Sequence, residues 1–371
     1  MQGRRIAMND AAKTRAFLKA HCERYPELAL QDLRKALFQS ACGCEHLVGD
    51  ASAAADYIRR EEETAPGAEN LLHNAPETAV EPLDGPFCRV HLSALRSGLT
   101  AETLAKLFAL SAEPVPNGRK MLAEKLTALW AAAADGEIPF SAADTAAEIA
   151  AWERAGYPAC RHSEPFRAAY HPAYRVCKRA YARALPLFAA VDRLLAEKPA
   201  VTVAIEGGSA SGKTTLAAQL QQVYDGCAVF HMDDFFLRPE QRTPERYAEP
   251  GGNVDRERFL TEVLTPLSNG EPVAYRRFDC ARQTVCPPEI VQPGRLNVVE
   301  GAYSMHPDLA EHYDLSVFLS IDPAYQHTRI LRRNTQASAE RFFSTWIPLE
   351  TRYFKAFRPM ERCTLCLTAA E

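Results

Sequence analysis

Val201-Thr-Val-Ala-Ile-Glu-Gly207-Gly-Ser-Ala-Ser-Gly212-Lys213-Thr-Thr215 is the stretch that decides the fold of this chain. Its first five residues are apolar or β-branched and read as a buried strand. Gly207, Gly208, Ser209, Ala210, Ser211 and Gly212 then supply a loop of small residues, and Leu216, Leu220 and Val223 recur at helical spacing behind it. The pattern is G-x-x-x-x-G-K-[ST], set between a strand and a helix as that motif requires. In such a loop the glycines let backbone N–H groups turn inward around a polyphosphate, while the helix points its positive end at the same anion. Lys213 reaches the β- and γ-phosphates, and the Thr214 hydroxyl ligates Mg²⁺. Gly207 to Thr215 is therefore the expected cradle for ATP.

Working outward, the runs Val201–Ile205, Ala228–His231, Leu296–Val299 and Leu315–Ile321 are short and apolar. They alternate with helical patterns over Thr214–Tyr224, Val254–Leu267 and Tyr325–Arg333. Strand and helix in alternation predict an α/β domain, a parallel sheet with helices on both faces. Ligands of such sheets bind beyond the carboxyl ends of the strands. Two strands end there in acid. Val229-Phe-His-Met-Asp233-Asp234 offers a carboxylate to orient a hydroxyl nucleophile and take its proton; the alternative is a helix cap. Glu300 closes the run from Leu296 and is placed to manage Mg²⁺ opposite Thr214, or else to cap the next element. Arg329, Arg332 and Arg333 share one helical face, either a solvated basic surface or a lid that stabilises charge on a transferred phosphoryl group.

Gly207–Thr215, Asp233-Asp-Phe-Phe236 and Val299-Glu-Gly301 together resemble the uridine kinase and nicotinamide riboside kinase branch of the P-loop kinases. The resemblance covers about residues 199–357. It implies ATP and Mg²⁺ as cofactors and a small-molecule hydroxyl acceptor, nucleoside-like. It implies that Asp233 is the catalytic carboxylate, with Lys213, Arg329 and Arg333 as further catalytic groups and Glu300 beside Mg²⁺. It places Asp255, Tyr275 and Arg282 at the acceptor. Two departures stand against uridine itself. The family's Glu-Arg-Gly-Arg lid is replaced by Asn334–Phe342, in which only Arg341 matches, and the histidine of its acceptor segment is missing. A reading of another class stays open, a P-loop ATPase switch whose helical half binds a partner protein.

Residues 1–198 carry no motif of this kind. Leu30, Leu33, Leu37 and Phe38, then Thr103–Leu110, Met121–Trp130, Ala142–Trp152 and Tyr174–Leu195 have helical periodicity. They predict a mostly α-helical domain that ends in a long connecting helix, with the kinase-like domain at 199–371. Cys42, Cys44 and His46 with Cys160 and His162 form a set that can build a Zn²⁺ site, although helix-buried thiols explain them equally. Cys363 and Cys366 sit in a strand-like tail with no helix behind them, unlike a redox C-x-x-C motif.

Composition bounds the rest. Of 371 residues, 47% are hydrophobic and 24% charged, which fits two globular domains. The net charge of −4 is no footprint of a nucleic-acid binder. Charges fill Met1–Ala20, no run is long enough for a membrane span, and the eleven cysteines fit a reducing compartment. A cytoplasmic protein is expected, with no nucleic acid or membrane partner and self-association left open.

Overall fold

The computed structural model describes residues 2–44, 50–64 and 79–369. The chain forms two compact units that divide between Arg183 and Ala184.

The first unit is mostly helical. Helices α1 (Gln2–Arg24) and α2 (Leu30–Cys42) pack on α5 (Gly118–Ala134), and α3 (Ala51–Thr64) packs on α4 (Ala101–Leu110). Leu18, Leu33, Leu37, Leu122, Leu129 and Phe166 fill the core between them. The helix starts are fixed by side chains that satisfy otherwise orphaned amides. Thr100 Oγ1 accepts from Thr103 N ahead of α4, and Ser141 Oγ from Asp144 N ahead of α6 (Ala142–Arg154). A three-stranded antiparallel sheet completes the unit, in the order β1 (Val80–Pro82), β2 (Phe87–His91), β3 (Tyr174–Lys178). Its register sets Cys88 opposite Cys177 and Val90 opposite Arg175.

This sheet corrects the reading of one long helix over Tyr174–Leu195. Tyr174–Lys178 is a strand, Arg179–Ala182 one helical turn, and only α7 (Leu185–Glu197) is a helix of length. The apolar residues of Tyr174–Lys178 alternate as well as they recur, and pairing with β2 selects the strand. Helix α7 belongs to the second unit. Its buried Leu187, Phe188 and Val191 face β4 (Val201–Glu206) and β7 (Leu315–Ser320).

The second unit holds a five-stranded, fully parallel sheet in the order β8-β7-β4-β6-β5, where β5 is Ala228–His231, β6 is Leu296–Glu300 and β8 is Leu365–Thr368. All six residues of β4 and all five of β6 are buried, as the interior of a covered parallel sheet demands. Helix α8 (Lys213–Val223) returns along β4, β5 and β6. Helix α9 (Pro323–Arg333) starts at Asp322, whose Oδ1 accepts from Ala324 N and Tyr325 N, with Pro323 pre-set in the first turn. Helix α10 (Ile347–Phe357) precedes the edge strand β8. Cys363 and Cys366 lie at and within that edge, and no disulfide forms among the described residues. Among the described residues, no helix is long and apolar enough to cross a membrane.

Candidate active site

The site forms where β4, β5 and β6 end. Strand β4 runs into Gly207 at φ 150°, where a Cβ would lie 2.5 Å from Leu319 O on the neighbouring strand. Only glycine passes there. Gly212 enters α8 at φ 104°. Between them the loop exposes its amides to one side, and the Ser211 hydroxyl is buried inside it with no hydrogen-bond partner. A buried orphan donor in a ring of amides is what an anion cradle leaves open. Lys213 folds back over the loop, and its ammonium donates to Gly207 O at 2.8 Å and Gly208 O at 3.0 Å.

The two sequence-derived acids take up different roles. Thr214 Oγ1 donates to Glu300 Oε1 at 3.0 Å, and His231 Nδ1 lies 2.6 Å from the same oxygen. This contact holds the His231 pKa above its usual value. A hydroxyl and a carboxylate meeting at the mouth of a phosphate loop are the hard oxygen donors that Mg²⁺ takes from a protein, the remainder coming from water and phosphate. Among the described residues, no group of three or more His, Cys, Asp and Glu side chains could hold a metal by itself. Asp233 sits one turn beyond β5, in the single-turn helix Met232–Phe235. It has no hydrogen-bond or ion-pair partner among the described residues. Desolvation inside the site pushes its pKa up, Lys213 pulls it down, and Glu300 adds to the rise.

The other expected residues are not all gathered here. Arg329 is: its guanidinium donates to Ala210 O at 3.0 Å, over the phosphate loop. Arg332 and Arg333 lie exposed further along α9. Asp255 is buried and caps the short helix Arg256–Phe259. It accepts from Arg258 N at 3.3 Å and from Arg258 Nε at 3.1 Å. Tyr275 is buried in the apolar cluster, with its ring stacked on Phe235 at 5.8 Å. Arg282 is exposed, and its nearest charge is Asp279 at 3.8 Å. Each of these three therefore has a structural task or a solvent position.

Three groups escape a reading by motif. Glu206, the last residue of β4, is wholly buried, and its carboxylate accepts from Gly207 N (2.8 Å), Tyr303 N (3.2 Å), Met305 N (3.0 Å) and Tyr353 Oη (2.9 Å). Burial pushes its pKa up to about 7 against those donors. Its signal was present, an acid directly before the first glycine of the loop. Glu350 on α10 accepts from Ser209 N at 2.9 Å and from Ser209 Oγ at 2.6 Å. Gln326 on α9 donates to Ser209 O at 2.8 Å. Neither spacing nor composition marks these last two, which meet the loop only through the fold.

The thiol and imidazole set of the first unit is not a metal centre among its described members. His162 Nδ1 lies 2.7 Å from Asp32 Oδ1 and its Nε2 lies 2.6 Å from Tyr174 Oη, so both ring nitrogens are engaged. His46 lies outside the described residues.

A phosphate loop, a hydroxyl–carboxylate pair and an unpartnered acid at three strand ends form the arrangement of a phosphoryl-transfer site. Residues 202–342 match the phosphoribulokinase / uridine kinase family. Uridine kinase of Staphylococcus epidermidis is 29% identical over 167 residues, 43% of this chain and 78% of the relative. Uridine kinase of Staphylococcus aureus is 28% identical over 172 residues, 44% of this chain and 80% of the relative. A solved structure described as a possible uridine kinase from Bacillus stearothermophilus aligns with TM-score 0.38 and 20% identity, over 51% of this chain and 99% of that one. The second unit thus carries a nucleotide-binding domain of a P-loop kinase family.

Proposed function

We propose that the second unit is an ATP-dependent kinase that transfers the γ-phosphoryl group to the hydroxyl of a small, nucleoside-like acceptor. The observation that carries this reading is Asp233, a carboxylate left without a partner at the end of β5, beside Lys213 and Glu300. The uridine kinases among the relatives support a nucleoside 5′-hydroxyl as the acceptor group. The acceptor's base is left open by the missing family histidine and by the structural tasks of Asp255 and Tyr275. Buried polar atoms without partners, Asn253 Oδ1 and Ser304 Oγ, line the acceptor side in this reading.

The amides of Gly207–Thr215 and the Lys213 ammonium hold the β- and γ-phosphates. Thr214 and Glu300 hold Mg²⁺, which supplies neutralisation of phosphate charge when bound. Asp233 accepts the proton of the acceptor hydroxyl as its oxygen forms a bond to the γ-phosphorus. The bond from that phosphorus to the β–γ bridging oxygen breaks, and ADP leaves with the electron pair. Arg329 and Lys213 face the charge that develops on the leaving side.

A screen of nucleosides and other hydroxyl metabolites with γ-labelled ATP and Mg²⁺ tests the proposal. Label is expected in an acceptor, with loss on Asp233→Asn. ADP release that no acceptor stimulates would overturn it in favour of a nucleotide switch.

A further inference from the structure

The first unit holds a cavity of about 1130 Å³ that the proposed kinase chemistry does not use. Small-molecule sites occupy about 300–1,000 Å³, so its volume suffices for a metabolite. Its lining includes the apolar Phe38, Tyr57 and Phe108 and the charged Lys35, Arg161 and Arg175. Two of its cations are already paired: Arg175 with Glu61 at 2.8 Å, and Arg167 with Glu164 at 3.1 Å. Lys35 is not. Its ammonium donates to Cys160 O at 2.6 Å and has no carboxylate within ion-pair distance among the described residues. Burial of that ammonium drives its pKa down, the cost of a cation that lacks a counter-charge.

One wall is built from a buried polar chain. The Asp32 carboxylate accepts from Ala29 N (2.9 Å), Ser163 N (3.0 Å) and Ser163 Oγ (2.5 Å), and it faces His162 Nδ1. That contact leaves His162 Nε2 as the acceptor of the Tyr174 hydroxyl proton. Tyr174 Oη accepts in turn from Gln39 Nε2 at 3.2 Å, and Gln39 Oε1 accepts from Arg89 Nε at 2.9 Å. Arg89 ends the chain on buried Glu81 at 3.3 Å. A satisfied network of this kind is rigid, so Gln39, His162 and Tyr174 present a preformed surface to the cavity.

We propose that this cavity is a second small-molecule site, which takes an aromatic or apolar molecule bearing a phosphate or carboxylate group, with Lys35 as the counter-charge. Arg161, whose side chain is exposed at the rim, adds a second cation.

The test is calorimetric titration of the full chain with phenyl phosphate and with phenylacetate, carried out in the Lys213→Met background so that the phosphate loop contributes nothing. Binding of either probe is expected, and the probe that binds names the anionic head. Lys35→Met is expected to weaken binding about tenfold or more, the scale of a lost charged hydrogen bond, while Lys35→Arg keeps most of it. Arg161→Ala removes an exposed side chain that the fold does not need, and a few-fold weakening is expected. The proposal is overturned if neither probe binds, or if binding is indifferent to Lys35→Met and to Arg161→Ala.

Discussion

Asp233 carries most of the chemistry in the reading offered for the second unit, and its environment makes that reading testable. Asp233→Asn keeps the shape of the side chain and removes its basicity. Turnover is expected to fall about 10²- to 10⁴-fold, the usual worth of a positioned base, while ATP binding by equilibrium titration is unchanged. Retained turnover would remove Asp233 from the mechanism. The same residue fixes the pH dependence. Desolvation raises its pKa above the ordinary aspartate value, and only the ionised form accepts a proton. The acid limb of kcat/KM is therefore expected above the range of an ordinary carboxylate, with activity rising as pH climbs through it. The Asp233→Asn variant is expected to lose that limb from its residual rate.

At the scale of elements, α9 separates two kinds of arginine that the sequence treats alike. Arg329 reaches the phosphate loop, whereas Arg332 and Arg333 face solvent. Arg329→Ala is expected to cost about 10- to 100-fold in kcat/KM for ATP, the worth of a charged group aimed at the phosphates. Arg332→Ala is expected to stay within about twofold, and steady-state kinetics on the two variants check the difference. Equal losses would restore the view of the whole face as a lid. The same contrast shows how far the sequence reaches. Strands β4, β5, β6 and β7 were legible because a buried parallel strand must be apolar along its whole length. The phosphate loop was legible because its geometry demands glycine at fixed positions. Strand β3 was not, since Tyr174–Lys178 becomes a strand only by pairing with β2, some 90 residues earlier in the chain. Glu350 and Gln326 were hidden for a similar reason: each meets Ser209 across more than 100 residues of sequence.

For the whole molecule, the position of α7 has an experimental consequence. Leu187, Phe188 and Val191 are buried on the sheet of the second unit, Tyr224 Oη donates to Asp192 Oδ1 at 2.8 Å, and Arg295 donates to Leu195 O at 2.7 Å. A fragment that begins at Ala184 is expected to fold and to retain any kinase activity of the full chain. One that begins at Pro199 leaves an apolar sheet face open. At about 1.5–3 kcal/mol per buried side chain, the loss is a large part of a domain's stability, about 5–15 kcal/mol in total. Thermal denaturation and solubility of the two fragments decide the matter, and equal stability would return the boundary to residue 198.

Glu350 and Tyr353 stand three residues apart on α10, one bonded to Ser209 and the other to Glu206. Glu206 in turn holds the turn at Tyr303 and Met305 that follows β6. One helix thus works as a lever with two attachment points. Any rotation of α10 pulls on the anion cradle and on the turn beyond Glu300 in a single stroke, so the two halves of the site move as coupled parts.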